Sequence, residues 1–330
     1  MKMNSAALAI VAAWLGLMSI SAMAAQAEPS CEQAVPAITS GYGSDGHYDV
    51  EQQSVPNPAF SRADVQVFFP QGADGPRPVI FFSHGYGPNI WEAYSVLFHH
   101  WVSRGNIVVY STYPMAFADN DGRYDDLWAG FAAAADRYGS RMDLSRVGFA
   151  GHSYGGGASP AMAARALRQG WGKKGMFVAA LAPWYTFQLT REQERQMPAS
   201  VPQLFEIYED DTTNDHRMAV DLYNNTPDSS RYFFLVHSMK IGDCNLIADH
   251  SIPGRSGVLR IKQYGMFRPL DAIADLAFAQ SKEAGDALNA MGSSTAGGAF
   301  NPLERVTQPK PLHDESAYHF RWSTPKNPRL

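Results

Sequence analysis

The sequence predicts an α/β fold with a mostly parallel central sheet flanked by helices. Seven short runs of β-branched and aromatic residues, each bounded by Pro, Gly or Asp, have the composition of strands. The runs are almost continuously apolar, which is typical of parallel strands covered on both faces. They are Val65–Phe69, Val79–Phe82, Ile107–Tyr110, Val147–Ala150, Met176–Leu181, Leu204–Tyr208 and Tyr232–Val236.

Stretches with helical periodicity separate these runs. Between the second and third runs, large apolar residues recur on one helical stripe, at Trp91, Tyr94, Leu97, Phe98 and Trp101. Further helices are expected over 124–138, after Gly157 and near Asp215. Strands that alternate with helices predict βαβ units, and hence a parallel sheet.

The N-terminus has the pattern of a secretory signal peptide. Lys2 precedes an apolar run from Ala6 to Ile20, and two overlapping Ala-x-Ala cleavage patterns follow over 22–27. A membrane anchor is the alternative, but the apolar run is shorter than the roughly 20 residues that cross a bilayer. We therefore expect residues 1–27 to be removed, leaving an exported protein, periplasmic or extracellular, with no stable membrane anchor.

The remaining chain is expected to form one main domain. The predicted division is an N-terminal segment over 28–62, the α/β domain over 63–290, and a loosely attached C-terminal extension over 291–330. The two cysteines, Cys31 and Cys244, would meet an oxidising compartment after export. A single disulfide between them is one interpretation, and two free thiols are the other.

Charge and motif content exclude several classes of function. The net charge of −5 gives no electrostatic reason to bind nucleic acid or an anionic membrane. The sequence has no H-E-x-x-H motif and no Cys/His ligand cluster, so neither a metal site nor a cofactor is expected. A small-molecule or polymeric neutral substrate fits this composition better.

The strongest motif is the glycine-rich segment 151–157, with the sequence GHSYGGG. It lies directly between a predicted strand and a predicted helix, the context in which G-x-S-x-G forms a nucleophile elbow. Such a turn exposes the hydroxyl of Ser153 at a helix N-terminus, where developing negative charge is favoured. The alternative is a glycine-rich turn that only packs the helix on the strand.

A second glycine motif, SHGYG over 83–87, ends the second predicted strand. In an elbow architecture the loop after this strand provides one oxyanion donor, and the residue after the nucleophile provides the other. The expected donors are therefore the backbone N–H groups of Tyr86 and Tyr154.

A catalytic serine also needs an imidazole base and a carboxylate that orients it, in the chain order Ser, acid, His. Asp211 follows the strand Leu204–Tyr208 and is the preferred acid, because ligands bind at the carboxyl edge of parallel strands. Asp210 and Asp215 remain alternatives. His250, in a loop, is the preferred base, and His237, at a strand end, is the alternative.

These residues resemble the α/β-hydrolase superfamily, and within it the cutinase-like polyester hydrolases, dienelactone hydrolases and platelet-activating-factor acetylhydrolases. Besides the elbow, Gly85-Tyr86 is similar to the oxyanion pair of the cutinase-like enzymes. Ala182-Pro183-Trp184 is similar to their A-P-W loop, and the segment 209–212 resembles their E-N-D-T/S segment. The resemblance implies that Trp184 contacts substrate.

The resemblance implies a serine esterase that works through an acyl-enzyme. Trp184 and Tyr185 follow a predicted strand and are expected at the rim of the site, although core packing is the competing interpretation. Three alternatives remain: a lipase or phospholipid-acetyl hydrolase, a dienelactone-type hydrolase, and a non-catalytic binding relative.

Overall fold

The computed structural model describes residues 31–87, 90–115, 118–228, 231–254, 258–292, 300–318, 321–324, 327 and 329. The predicted signal peptide over 1–27 lies outside the described residues. None of the described helices is long and apolar enough to cross a membrane.

The strands in chain order are β1 (Val50–Val55), β2 (Val65–Pro70), β3 (Arg77–Ser83), β4 (Ile107–Ser111), β5 (Met142–His152), β6 (Gly175–Leu181), β7 (Gln203–Tyr208), β8 (Arg231–Val236), β9 (Met239–Ile241), β10 (Cys244–Leu246) and β11 (Leu303–Arg305). The helices are α1 (Cys31–Ala34), α2 (Ser95–Ser103), α3 (Asn120–Tyr138), α4 (Tyr154–Arg168), α5 (Arg191–Arg195), α6 (Arg217–Asn225), α7 (Leu259–Ile261), α8 (Arg268–Phe278) and α9 (Lys282–Ala290). Short 3₁₀ turns lie at Trp91–Tyr94 and Glu315–Ala317, and a π-helical stretch, Lys262–Phe267, joins α7 to α8.

The predicted α/β class is confirmed. Nine strands form one sheet in the order β1-β2-β4-β3-β5-β6-β7-β8-β11, and all seven predicted runs lie in it. The six strands from β4 to β8 run parallel, whereas β2 pairs antiparallel with β4, and β1 with β2. Strands β9 and β10 form a separate hairpin.

Helices cover both faces of the sheet. On one face, α2, α8 and α9 pack on buried strand residues such as Phe82 and Leu181. On the other face, α3 and α4 pack on residues such as Phe81 and Phe149, and α6 packs beside them. From β3 the chain crosses to β4, on one side of β3, and then to β5, on the other side of β3. The carboxyl ends of β3 and β5 therefore form a topological switch point, the place where ligands bind in open α/β sheets.

The disulfide between Cys31 and Cys244 is present, which confirms that interpretation over free thiols. Its Cα atoms are 5.4 Å apart, within the usual range for a bridged pair. It joins α1 to the β9–β10 hairpin across 213 positions of sequence. The N-terminal segment is therefore covalently attached beside the loop that carries His250.

A cluster of charges around the buried His100 attaches the N-terminal segment a second time. The His100 ring is fully buried, with Nδ1 2.8 Å from Asp45 and Nε2 2.9 Å from Asp271. Asp271 also accepts a hydrogen bond from the Gly43 N–H. Burial alone would lower the pKa of His100, but the two carboxylates outweigh it and raise the pKa, which favours the charged form of this imidazole.

The C-terminal extension is not loosely attached, contrary to expectation. Strand β11 pairs antiparallel with β8 and completes one edge of the sheet. Near the end of the chain, the buried Arg329 donates to Asp221 and, bidentately, to Glu194. Composition suggested a loose tail because its few anchoring residues are separated by polar and Pro-rich sequence.

The carboxyl of Glu206 is fully buried within the sheet. Its Oε1 accepts a hydrogen bond of 2.7 Å from the Tyr208 hydroxyl, and among the described residues its Oε2 has no hydrogen-bond partner. Burial raises the pKa of Glu206 to about 8. The carboxyl is therefore protonated in the folded protein at neutral pH.

We expect Glu206 to contribute a part of the free energy of unfolding that falls as pH rises from about 4.5 to about 8, because the folded state retains a proton on Glu206 that the unfolded chain releases. The maximum slope from one group is about 1.4 kcal/mol per pH unit. Glu206→Gln should remove this part of the slope in urea unfolding measured from pH 5 to pH 8. Glu283→Gln, at an exposed position, should not. Equal slopes in Glu206→Gln and the unmodified protein would contradict a neutral, buried acid.

Candidate active site

A cavity of about 620 Å³ opens at the switch point, and Ser153 and His250 both line it. Its walls come from the loops after β3, β5, β6 and β7, and from the loop after β10. Trp184, after β6, and Asn214, after β7, line the cavity on the side of β5 opposite to β3. The topology therefore brings together residues that are up to 165 positions apart in sequence, from Gly85 to His250.

The backbone turns sharply at Ser153, between β5 and α4. This residue has φ 57° and ψ −119°, a left-handed conformation that non-glycine residues rarely adopt. Its N–H donates to the Leu181 carbonyl at 2.9 Å, and its carbonyl accepts from the Trp184 N–H at 2.8 Å. Strained conformations of this kind persist where the surrounding structure holds them, and they cluster at functional sites.

The glycines of the motif allow this turn because backbone passes close to each of them. A Cβ at Gly151 would overlap the carbonyl oxygen of Gly155, and a Cβ at Gly155 would overlap that of Ser83. A Cβ at Gly157 would overlap the carbonyl oxygen of Tyr185. Any larger residue would push α4 away from β3 and from the chain after β6.

His250 and Asp211 form a hydrogen-bonded pair. His250 Nδ1 lies 2.7 Å from Asp211 Oδ2, and Asp211 Oδ1 accepts from the N–H groups of Thr213 and Asn214 at 2.8 and 3.1 Å. Burial tends to raise the pKa of Asp211, but the hydrogen bond and charge of His250, with these amides, hold it below its usual value. An ionised Asp211 favours the proton on Nδ1, which leaves Nε2 as the basic nitrogen.

The Ser153 hydroxyl has a partner that the sequence analysis missed. Its Oγ accepts a hydrogen bond from Asn214 Nδ2 at 3.3 Å. Within the described residues, the Ser153 hydroxyl has no hydrogen bond to His250, although both residues line the same cavity. The sequence could have indicated this contact only through the position of Asn214, three residues after Asp211, because a single turn of the chain can bring two such residues to the same place.

A second histidine, His152, links the two sides of the cavity. The Gly85 N–H donates to the Tyr94 hydroxyl at 3.0 Å, and that hydroxyl lies 3.1 Å from His152 Nδ1. His152 Nε2 lies 2.8 Å from the carbonyl oxygen of His250. Because a carbonyl only accepts, Nε2 carries the proton and Nδ1 accepts from Tyr94. Burial lowers the pKa of His152 to about 3, which keeps the ring neutral.

The expected oxyanion donors flank Ser153. Both Tyr86 and Tyr154 line the cavity. Tyr154 is the first residue of α4, so its N–H has no acceptor within the helix. Gly85, directly before Tyr86, lies so near that a Cβ on it would be 3.3 Å from the Ser153 Cβ. The loop after β3 thus passes close to the serine.

The alternative acids have other partners. Asp210 Oδ2 accepts from the Ser238 hydroxyl at 2.5 Å, in the direction of the β9–β10 hairpin. Asp215 forms a buried ion pair with Arg217, whose Nε lies 2.9 Å from both carboxylate oxygens. Neither carboxylate lines the cavity or bonds to an imidazole there.

The alternative base also lies elsewhere. His237 is between two carboxylates, with Nε2 2.8 Å from Glu304 and Nδ1 3.2 Å from Glu209. Burial would lower its pKa, but the two hydrogen-bonded carboxylates raise it. The ring does not line the cavity, so a surface ion-pair role describes His237.

Of the two predicted aromatic contacts, Trp184 lines the cavity and Tyr185 does not. Tyr185 is only 6% exposed, and its ring packs between Trp184 and Phe187. The close approach of α4 to its backbone, at Gly157, holds it inside the protein. Phe187, which the sequence analysis did not single out, provides the second aromatic wall.

Comparison with protein-family models and with curated proteins gave no match. Within the described part of the chain, no three His, Cys, Asp or Glu side chains form a group that could hold a metal ion. The geometry of Ser153, His250 and Asp211 is therefore the basis for assigning a function to this chain.

We expect His152→Phe to lower the free energy of unfolding by about 2–6 kcal/mol, because it removes the acceptor of the Tyr94 O–H and the donor to the His250 carbonyl, at about 1–3 kcal/mol each. Urea unfolding at pH 7 would measure this. His47→Phe, at an exposed histidine, serves as the control and should stay within about 0.5 kcal/mol. Equal stability of the two variants would mean that His152 does not connect the two loops.

Proposed function

We propose that this chain is an exported serine hydrolase of the α/β-hydrolase fold that cleaves carboxylic esters through an acyl-enzyme. One observation carries the proposal. Ser153, on a left-handed turn at a helix N-terminus, shares a cavity with His250, whose Nδ1 is hydrogen-bonded to Asp211. These are the groups that nucleophilic acyl transfer requires: a nucleophile, a base and a carboxylate that fixes the tautomer of the base.

In the proposed reaction, His250 Nε2 takes the hydroxyl proton while Ser153 Oγ bonds to the ester carbonyl carbon. The carbonyl electron pair moves to its oxygen, which accepts hydrogen bonds from the N–H groups of Tyr86 and Tyr154. Asp211 stabilises the imidazolium. Collapse expels the alcohol, which takes the proton from His250. Water then releases the acid by the same steps, with Oγ as the leaving group. Catalytic hydrogen bonds of this kind often tighten only when substrate is bound.

The lining of the cavity supports a neutral, partly apolar substrate. No Lys, Arg, Asp or Glu occurs among the described residues that line it. Aromatic rings of Tyr86, Tyr154, Trp184 and Phe187 form much of the wall. Such a wall binds apolar or aromatic acyl groups, from a small ester or an accessible segment of a polyester, and offers no partner for a charged substrate.

The proposed export is supported by the disulfide between Cys31 and Cys244, since such bridges form and persist in oxidising compartments. The signal-peptide pattern over residues 1–27 agrees with this compartment.

We expect the protein to hydrolyse p-nitrophenyl butyrate, and Ser153→Ala and His250→Ala each to lower kcat by at least about 10⁴-fold, because the triad works as a unit. Asp211→Asn should lower kcat by about 10⁴-fold, since the imidazole then adopts the wrong tautomer. Steady-state release of p-nitrophenol measures all three effects.

The alternative residues provide matched controls. His237→Ala and Asp210→Asn should keep kcat within about twofold, because neither side chain lines the cavity or is hydrogen-bonded to the His250 ring. Near-normal turnover by Ser153→Ala, or loss of turnover in His237→Ala but not in His250→Ala, would contradict the proposed assignment.

A further inference from the structure

We propose that Asn214 is a fourth catalytic residue, whose side-chain amide donates a hydrogen bond to the nucleophilic oxygen throughout the reaction. The inference rests on the proposed function and adds a group that the Ser–His–Asp arrangement does not include. It follows from the contacts of Asn214, from the backbone at Ala182 and from the donor count of the serine hydroxyl.

The orientation of the Asn214 amide is fixed by two acceptors. Nδ2 donates to the Ala182 carbonyl oxygen at 2.6 Å and to Ser153 Oγ at 3.3 Å. A carbonyl oxygen cannot donate, so the group facing Ala182 must be the NH₂ and not the amide oxygen. The second N–H of that NH₂ therefore points to Ser153 Oγ.

The Ala182 carbonyl is held in place by an unusual backbone conformation. Ala182 has φ 43°, the left-handed region that favours glycine, and it is 3% exposed. Its N–H donates to the Glu206 carbonyl oxygen at 2.8 Å, which joins the ends of β6 and β7. Strain at a buried alanine persists only where the surroundings hold it. Here it aims a carbonyl at Asn214.

The other end of Asn214 is fixed by the acid of the triad. The Asn214 N–H donates to Asp211 Oδ1 at 3.1 Å, beside the Thr213 N–H at 2.8 Å. Any residue except proline at position 214 would provide this backbone donor. The side-chain amide is needed only for its contacts with Ala182 and Ser153, so a turn-forming role does not account for it.

The donor count sets the direction of the hydroxyl proton. A serine hydroxyl has one hydrogen and two lone pairs. Because Asn214 donates to one lone pair, and can accept nothing through its NH₂, the hydrogen of Ser153 is left for another acceptor. The basic Nε2 of His250 is the acceptor that the proposed reaction requires.

The same N–H stabilises charge on Oγ at two points. During acylation, the O–H bond breaks toward His250 Nε2 while the bond from Oγ to the carbonyl carbon forms. During deacylation, that bond breaks, its electron pair returns to Oγ, and Oγ takes the proton from His250. Asn214 transfers no proton in either step; its hydrogen bond strengthens as negative charge develops on Oγ.

The test compares Asn214→Ala and Asn214→Leu, which remove the donor and differ in volume, with Asn245→Ala at an exposed position of the β9–β10 hairpin. Stopped-flow release of p-nitrophenol from p-nitrophenyl butyrate separates acylation, seen as the burst, from deacylation, seen as the steady state. Both Asn214 variants should lower the burst and steady-state rate constants by about 10- to 100-fold, with KM within about threefold. Asn245→Ala should match the unmodified protein.

A merely structural role predicts a different result. If both Asn214 variants keep their burst and steady-state rate constants within about twofold, or lose activity only in proportion to a lower unfolding midpoint, Asn214 is not catalytic. Activity lost in Asn214→Ala but retained in Asn214→Leu would assign the effect to a cavity, and would also overturn the inference. If the unmodified protein releases no p-nitrophenol, the proposed function itself fails.

Discussion

The site depends on one constraint, the close approach of α4 to β3 and to the chain after β6. That approach leaves no room for a Cβ at Gly155 or Gly157, and it holds Ser153 in a left-handed conformation between strand and helix. The first N–H groups of α4 follow directly after this turn and have no acceptor within the helix. Without this packing, the serine would be an ordinary residue in a strand-to-helix connection.

The rest of the structure holds three loops around that turn. The loop after β3 passes close to Ser153 at Gly85, and the neutral His152 joins this loop, through Tyr94, to the carbonyl of His250. The disulfide attaches the hairpin that precedes His250 to α1. The position of the imidazole is therefore determined by hydrogen bonds and a covalent link from three distant parts of the chain, which is how a preorganised site is built.

The sequence predicted those features that have a local signal. Continuous apolar runs identified the parallel strands, and the glycine motif identified the turn at Ser153, because sterics alone demand small residues there. It did not predict the edge strand β11, the burial of Tyr185 or the role of Asn214. Each of these depends on which distant segment packs against the residue, and no periodicity or spacing records that. Asp211 and His250 were predicted only in part. Chain order limited the candidates, but only the folded chain places His250 Nδ1 2.7 Å from Asp211 Oδ2.

The central claim is that the Ser153 hydroxyl is activated for attack, and its reactivity toward a fluorophosphonate tests this most directly. Intact-mass measurement followed by peptide mapping of the folded, full-length protein would locate the adduct. We expect one adduct per chain, on Ser153, and none after the protein is unfolded in urea before labelling. No adduct on the folded protein, or an adduct on another residue while Ser153 stays unmodified, would contradict it.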